Sequence, residues 1–453
     1  EIMKENPDPN IRQIEGVLVD ALERKNEDQF LRDFNSRLRN WDLETIDHAQ
    51  KILTIYFHLL NQAELSEISS INRSRANAAT VETPRPDSIY VAVKSMHDQG
   101  VSLEDAKGLI ANLDIQPTFT AHPTEARRQT ILSKQKKIVN LVETYLFAGL
   151  GERDQSNLEL KIKRYLALLM LTDEVRAERI SVIDELKNAM YFVLEAVWPT
   201  IPALYRDFNS AFRTYYGSTM DVPTFLHVRS WIGGDRDGNP AVTHEVTRSA
   251  LKLQRETILQ KYIEVMDELY HDLSISNRKA SISSALNESI NDDLKHVKLE
   301  PGEEERLRTE PLRLKILCIQ EKLERKRADA GFPYSESTFV DDLYLLQDVL
   351  ESTHFLEFSE GGLLNNLIDQ AKTFGFVMMC MDIRQHSKMH EAAIHEILDK
   401  GNLLGSYRSL SEQDKYDLLV KLIESDESYL SDDWSCYSDG TYELLKLFQT
   451  IRE

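Results

Sequence analysis

Apolar side chains recur at helical spacing along most of this 453-residue chain. In the run Ile46, Ala49, Ile52, Leu53, Tyr56, Leu59 and Leu60, successive steps of three and one residues place the apolar groups on one stripe, which predicts an amphipathic helix. Three stretches break that rhythm. Residues 115–121, 225–232 and 376–383 are short, rich in β-branched, aromatic or methionine side chains, and each runs into a polar cluster. They are predicted to be strands. Helical segments separate them, so the expected pairing is parallel with crossovers. Polar clusters at the carboxyl ends of several such strands belong to a β/α barrel or a doubly wound sheet. The barrel is preferred, although periodicity does not choose between the two. With 17 glycines and 13 prolines the chain has too few turn residues for an all-β sandwich, and the predicted class is mainly α with a few parallel strands.

Charge narrows the chemistry. Lysine and arginine total 54 against 75 aspartate and glutamate, a net charge of −21 that repels nucleic acid and anionic membrane surfaces. An anionic ligand therefore needs a local basic pocket. Cys318, Cys380 and Cys436 stand far apart without CxxC or histidine pairing, so neither a disulfide framework nor a zinc site is indicated, and a reducing cytoplasm is the expected setting. The longest apolar run, residues 374–381, falls far short of the roughly 20 residues that span a bilayer. Residues 84–88 form a break with two prolines, and the polar stretch 271–310 is expected to be a surface excursion.

The polar clusters carry the chemistry. After the first strand comes Thr120-Ala121-His122-Pro123-Thr124-Glu125. Pro123 suits the first position of a helix whose apolar face holds Ile131, Leu132, Ile138, Val139, Leu141, Val142 and Tyr145. His122 then falls at the N-cap, and Arg128 about one and a half turns inside. A helix N-terminus attracts anions and disfavours an imidazolium, leaving a neutral imidazole to accept or relay a proton. The plain alternative is a histidine that only caps the helix; the strand and Pro123 that fix its position favour function. The second strand ends in Ser230-Trp231-Ile232-Gly233-Gly234-Asp235-Arg236-Asp237-Gly238-Asn239-Pro240. Its glycines permit close backbone approach, and Asp235 and Asp237 are expected to hold Arg236 in a fixed direction for an anionic group. A tight turn held by Asx and ion-pair contacts is the competing reading. A calcium loop of the EF-hand type fails, because Pro240 and Val246 stand where it needs Gly and Glu. The third strand ends Met381-Asp382-Ile383-Arg384-Gln385-His386, with Ser387 as the expected helix N-cap. Alternation puts Asp382 and Arg384 on one face, either as an oriented receptor for phosphate or carboxylate or as a buried structural pair. No Walker A loop, GxGxxG, HExxH or GxSxG occurs. The residues alone describe an anion-handling enzyme with a histidine and several arginines at strand ends.

At these positions the chain closely resembles the phosphoenolpyruvate carboxylase family of bacteria and plants. The family motif TAHPTE is matched by Thr120 to Glu125, SWxGGDRDGNP by Ser230 to Pro240, and Leu-Asp-Ile-Arg-Gln by Met381 to Gln385 with Met for Leu. Thr172-Asp173-Glu174-Val175-Arg176, Val197-Trp198 and Glu310-Pro311-Leu312-Arg313-Leu314-Lys315 resemble further family segments in the same order. The resemblance implies a helix-enriched (β/α)8 barrel of which this chain is the N-terminal part: a helical region over 1–110, the first part of the barrel with helical insertions over 111–400, and a helical segment over 401–453 leading into a C-terminal half. It also implies a cytoplasmic homotetramer that joins phosphoenolpyruvate and bicarbonate to oxaloacetate and phosphate through carboxyphosphate and the enolate of pyruvate, with Mg²⁺ or Mn²⁺. Carried over by motif, His122 handles the carboxyphosphate proton, Arg384 contacts the substrate phosphate, Asp235, Arg236 and Trp231 shape the bicarbonate side, and Arg128 joins the substrate-binding set. Where the family often has two adjacent arginines after the motif histidine, this chain has Arg128 and Gln129, a departure from the pattern of a phosphorylated-sugar activator site. The metal ligands and a catalytic lysine are implied for the C-terminal half, so the chain alone is expected to be inactive. A non-catalytic half-barrel serving as scaffold or interaction module is the competing reading.

Overall fold

The structure, a computed structural model, describes residues 39, 41–120, 128–173, 180–237, 239–353, 361–401, 407–425 and 429–452. Helices dominate, as the periodicity predicts: α1 (Leu43–Ala78), α2 (Ile89–Asp98), α3 (Leu103–Ala111), α4 (Gln129–Phe147), α5 (Glu152–Met170), α6 (Val182–Phe192), α7 (Trp198–Tyr216), α8 (His244–Asp272), α9 (Ser284–His296), α10 (Pro311–Ala328), α11 (Glu336–Glu351), α12 (Leu363–Phe374), α13 (Ser387–Lys400), α14 (Glu412–Ile423) and α15 (Asp439–Arg452). Three strands, β1 (Thr118–Phe119), β2 (Arg229–Ser230) and β3 (Cys380–Met381), pair in parallel in the order β1-β2-β3. Thr118 faces Arg229 and Arg229 faces Cys380, and isolated parallel bridges Ile115–Leu226 and Asp235–Arg384 prolong the pairing at either end.

The strands lie where the sequence places them but are shorter. Pro117 has no N–H to give the ladder, which interrupts the first. In the third, Met378 takes a left-handed φ of 66° and is buried, so residues 376–379 turn and the strand begins only at Cys380. Two helix starts also move. His386, not Ser387, caps α13, because its Nδ1 already accepts the Lys388 N–H at 3.1 Å. Arg128 does not sit inside a helix: its backbone is extended, at ψ 133°, and α4 begins one residue later. The expected start at Pro123 and the N-cap at His122 lie outside the described residues.

By contact density the chain forms two units, Glu1–Pro86 with Thr124–Ile180, and Asp87–Pro123 with Ser181–Glu453. In the first, the Asp42 carboxylate caps α1 by accepting the Thr45 N–H at 2.8 Å. Ile55 of α1 packs with Ile131 and Ile138 of α4 and Leu169 of α5, whereas Tyr56 and Leu60 of the predicted stripe are exposed. In the second unit α8 runs through the main core, burying Ile258, Leu259, Tyr262 and Met266, and the Tyr262 hydroxyl donates to the Gly375 carbonyl at 2.7 Å. Trp198 at the start of α7 stacks on Phe374 at the end of α12, centroids 5.5 Å apart.

The polar stretch 271–310 does more than run over the surface. Within it α9 buries Leu286 and Ile290 and supplies Asp293. Lys315 and Lys322 of α10 each reach both Asp293 and Asp342 of α11, at 2.6 to 2.7 Å. Ser289 accepts a further bond from Lys315, and the Tyr334 hydroxyl donates to Asp342. Lys315 is fully buried, and the ring of four charges ties three helices together.

Candidate functional site

Parallel pairing sets the carboxyl ends of the three strands side by side. Trp231 N–H donates to Phe119 O, Asp382 N–H to Ser230 O, Arg384 N–H to Gly234 O, and Arg236 N–H back to Arg384 O, all at 2.9 to 3.0 Å. The loop after β2 therefore lies directly against the chain after β3. Gly234 is required by this closeness, since a Cβ there would stand 2.3 Å from the Asp382 carbonyl oxygen. Gly233 turns the loop with φ 87°, and its carbonyl accepts from the Thr247 hydroxyl at 2.7 Å.

Side chains at this end pair differently from the expectation. Asp382 does not orient Arg384. Its carboxylate is occupied by Arg229, through Nε at 2.8 Å and through Nη2, and by the Trp231 indole N–H at 3.2 Å. Asp382 holds Arg229 protonated more firmly than an ordinary guanidinium. Arg384 instead lies over the Trp231 ring, 4.1 Å from its centroid, and meets Asp235 Oδ2 at 3.4 Å. Its side chain is 44% exposed, so one face stays open. Trp231 is the keystone: Asp382 fixes its ring, and the ring supports Arg384.

Arg236 is not held by its neighbouring aspartates either. Asp235 points to Arg384 and accepts the Asp237 N–H at 3.2 Å, so the expected Asx turn is present beside the functional contact. The Arg236 side chain turns inward, 5% exposed, with its Nη2 3.6 Å from Glu443 Oε2 of α15. Its Nε and Nη2 have no hydrogen-bond partner, and burial lowers its proton affinity against the pull of Glu443 and Glu245. The Asp235–Arg384 bridge explains the inversion, because it commits residue 235 to the neighbouring strand and sends the next side chain into the interior.

Arg128, in the other unit, donates to the Asp173 carbonyl at 3.1 Å and is exposed enough to present its remaining N–H groups. His122 and Gly238 lie outside the described residues. Sequence reasoning missed Arg229, which alternation from Trp231 would have flagged as a same-face neighbour. It also missed His244 and Glu443, which are 199 residues apart and leave no local signal.

His244, Glu245 and Glu443 form the metal-type grouping among the described residues. They fit a divalent cation poorly. The His244 ring already joins Glu443 at 2.7 Å and Glu245 at 3.0 Å, and the Arg236 guanidinium stands beside Glu443, where a hard cation would want oxygen ligands alone. The cysteines offer nothing more: all three are free, and burial pushes the Cys318 thiol up to about 12. No helix among the described residues is long and apolar enough to cross a membrane.

Residues 3–453 match the family model of phosphoenolpyruvate carboxylase. Among similar proteins, the phosphoenolpyruvate carboxylase of Rhodothermus marinus is 36% identical over 96% of this chain and 48% of its own length. That of Roseiflexus castenholzii is 34% identical over 94% of this chain and 46% of its own length. The chain spans about half the length of the curated relatives it matches. With nearly every residue covered by the family model, the chain belongs to the phosphoenolpyruvate carboxylase family.

Proposed function

We propose that the strand-end cluster is the anion-handling side of an active site that joins phosphoenolpyruvate and bicarbonate to oxaloacetate and inorganic phosphate. The observation that carries this reading is Arg384, half-exposed, stacked on Trp231 and steered by Asp235. A planar guanidinium fixed in this way matches a phosphoryl group through two parallel N–H donors. The phosphate of phosphoenolpyruvate lies against it. A bicarbonate oxygen attacks phosphorus, the bond from phosphorus to the enol oxygen breaks, and carboxyphosphate and the enolate of pyruvate result. His122 takes the carboxyphosphate proton as the intermediate splits into CO₂ and phosphate, and the enolate methylene carbon then bonds to CO₂. Arg384 stabilises the charge on the transferring phosphoryl group, Trp231 keeps water from the enolate, and the Asp235-Arg236 backbone completes the binding wall.

The family implies a divalent metal, and Mg²⁺ or Mn²⁺ would polarise the substrate oxygens; in this reading its ligands and the catalytic lysine lie outside this chain. The three strands belong to the first part of a helix-enriched (β/α)8 barrel, which with its helical insertions covers 111–400, after a helical region over 1–110 and before the helical segment 401–453. The whole enzyme is a cytoplasmic homotetramer.

Calorimetric titration of the 453-residue chain with phosphoenolpyruvate tests the core of this. Saturable binding is expected, weakened at least about tenfold by Arg384→Gln, with no oxaloacetate formed in a malate dehydrogenase-coupled assay. Unchanged affinity in a folded Arg384→Gln variant removes Arg384 from the substrate site. Turnover by the chain alone overturns the assignment of metal and lysine to another part.

A further inference from the structure

Helices α7 and α12 pack through apolar groups at one end, where Trp198 meets Phe374. Further along, the sides they turn toward a shared cavity are polar. Arg206, Asn209 and Arg213 follow one stripe of α7, and Asn366, Asp369 and Lys372 follow one stripe of α12, at the three-, four- and seven-residue steps that share a helix face. The cavity between them is about 620 Å³, the size of a small-molecule site. The cleft is open to solvent, with Arg206 and Arg213 exposed along one side, so a polar ligand has access to both stripes.

One group in the cavity lacks the partner its burial requires. Tyr205 lines it at 4% exposure, and its hydroxyl is buried without a hydrogen-bond partner. Burial also lifts the Asp369 carboxyl to about 6, against the opposing pull of Lys372 and Arg206. The Arg206 Nη1 donates to Asn366 Oδ1 at 2.7 Å, which holds its guanidinium across the opening between the helices. Arg206, Arg213 and Lys372 line it together with Asp369 and a nearly fully exposed Asp221, so the lining carries more cationic than acidic side chains. The two arginines are seven residues apart, roughly 10 Å along the axis.

We propose that this cavity binds a small organic anion charged at both ends, with Arg206 and Arg213 taking its two charged groups and the Tyr205 hydroxyl donating to one of them. The site is separate from the strand-end cluster, and its residues do not overlap with that reading. Titration of the 453-residue chain at constant ionic strength uses succinate as the carboxylate probe and inorganic pyrophosphate as the phosphoryl probe. One of the two is expected to bind saturably, one per chain, at millimolar concentration or below, and which one binds identifies the anion class. The double variant Arg206→Gln, Arg213→Gln should weaken it at least about tenfold. Tyr205→Phe, which keeps the ring in the core, should weaken it about threefold, and Arg384→Gln should leave it unchanged. Binding of neither probe, binding that survives both the double variant and Tyr205→Phe, or binding lost in Arg384→Gln overturns the proposal.

Discussion

Two charged constellations in the second unit use similar residues to opposite ends. Around Lys315 and Lys322 every charge meets an opposite charge at hydrogen-bond distance, and Lys315 is sealed from water. Around Arg384 the partners are arranged on one side only: Trp231 lies beneath, Asp235 stands beside, and the remaining face is open. A closed ring has no capacity left for a ligand and serves to fix helix positions. An open, pre-oriented cation keeps its binding capacity for something that is not protein. Charge satisfaction, more than charge density, separates structure from chemistry in this chain.

The comparison is broken most readily at Asp342. Burial by itself would raise its carboxyl, yet Lys315 and Lys322 together hold it below the ordinary carboxylate range. A depressed carboxylate stabilises the fold above its unfolded-state pKa, near 4, and loses that contribution as pH falls through the folded value. Asp342→Ala leaves two buried lysines sharing one carboxylate, and urea unfolding at pH 7 should show a loss of about 3–5 kcal/mol. A smaller effect is expected from Gly234→Ala, where the new methyl meets the Asp382 carbonyl. Unfolding should report about 1–3 kcal/mol of destabilisation, with a change in Trp231 fluorescence as the loop withdraws from β3.

Asp369 carries the opposite sign to Asp342. Its folded pKa, about 6, exceeds the unfolded value, so the folded chain binds the proton more tightly and stability falls as pH rises between roughly 4 and 6. Lys372, Arg206 and Asp221 are the charged groups that face it. Asp369→Asn should add about 1–2 kcal/mol at pH 7.5 and nothing at pH 4, measured by thermal unfolding across that range. The smallest stability effect belongs to Arg384→Gln, within about 0.5 kcal/mol, even though phosphoenolpyruvate binding is expected to suffer. A large stability loss there would move Arg384 into the same structural class as Lys315.

Much of this arrangement was legible from residue order. The second and third polar clusters sit where β2 and β3 end, the strands pair in parallel as expected, and helices lie between them along the chain. Partner choice was not legible. Asp235 is followed by Arg236 in sequence but pairs with Arg384, and Asp382 pairs with Arg229 across 153 residues instead of with Arg384 two places on. Adjacent side chains on an extended backbone point to opposite sides, whereas registered neighbours on adjacent strands come within reach of each other. The inward turn of Arg236 to Glu443 and the polar cavity between α7 and α12 follow from helix docking, which leaves no mark in either helix alone.

The sequence by itself determined the helical bulk, the places of the strands and the residue types that gather at their ends, because periodicity and turn chemistry act over a few residues. Only the tertiary structure decided which charges cancel and which remain open. That outcome depends on strand register and helix packing, which bring together side chains more than a hundred residues apart and decide for each whether water, protein or a ligand becomes its partner.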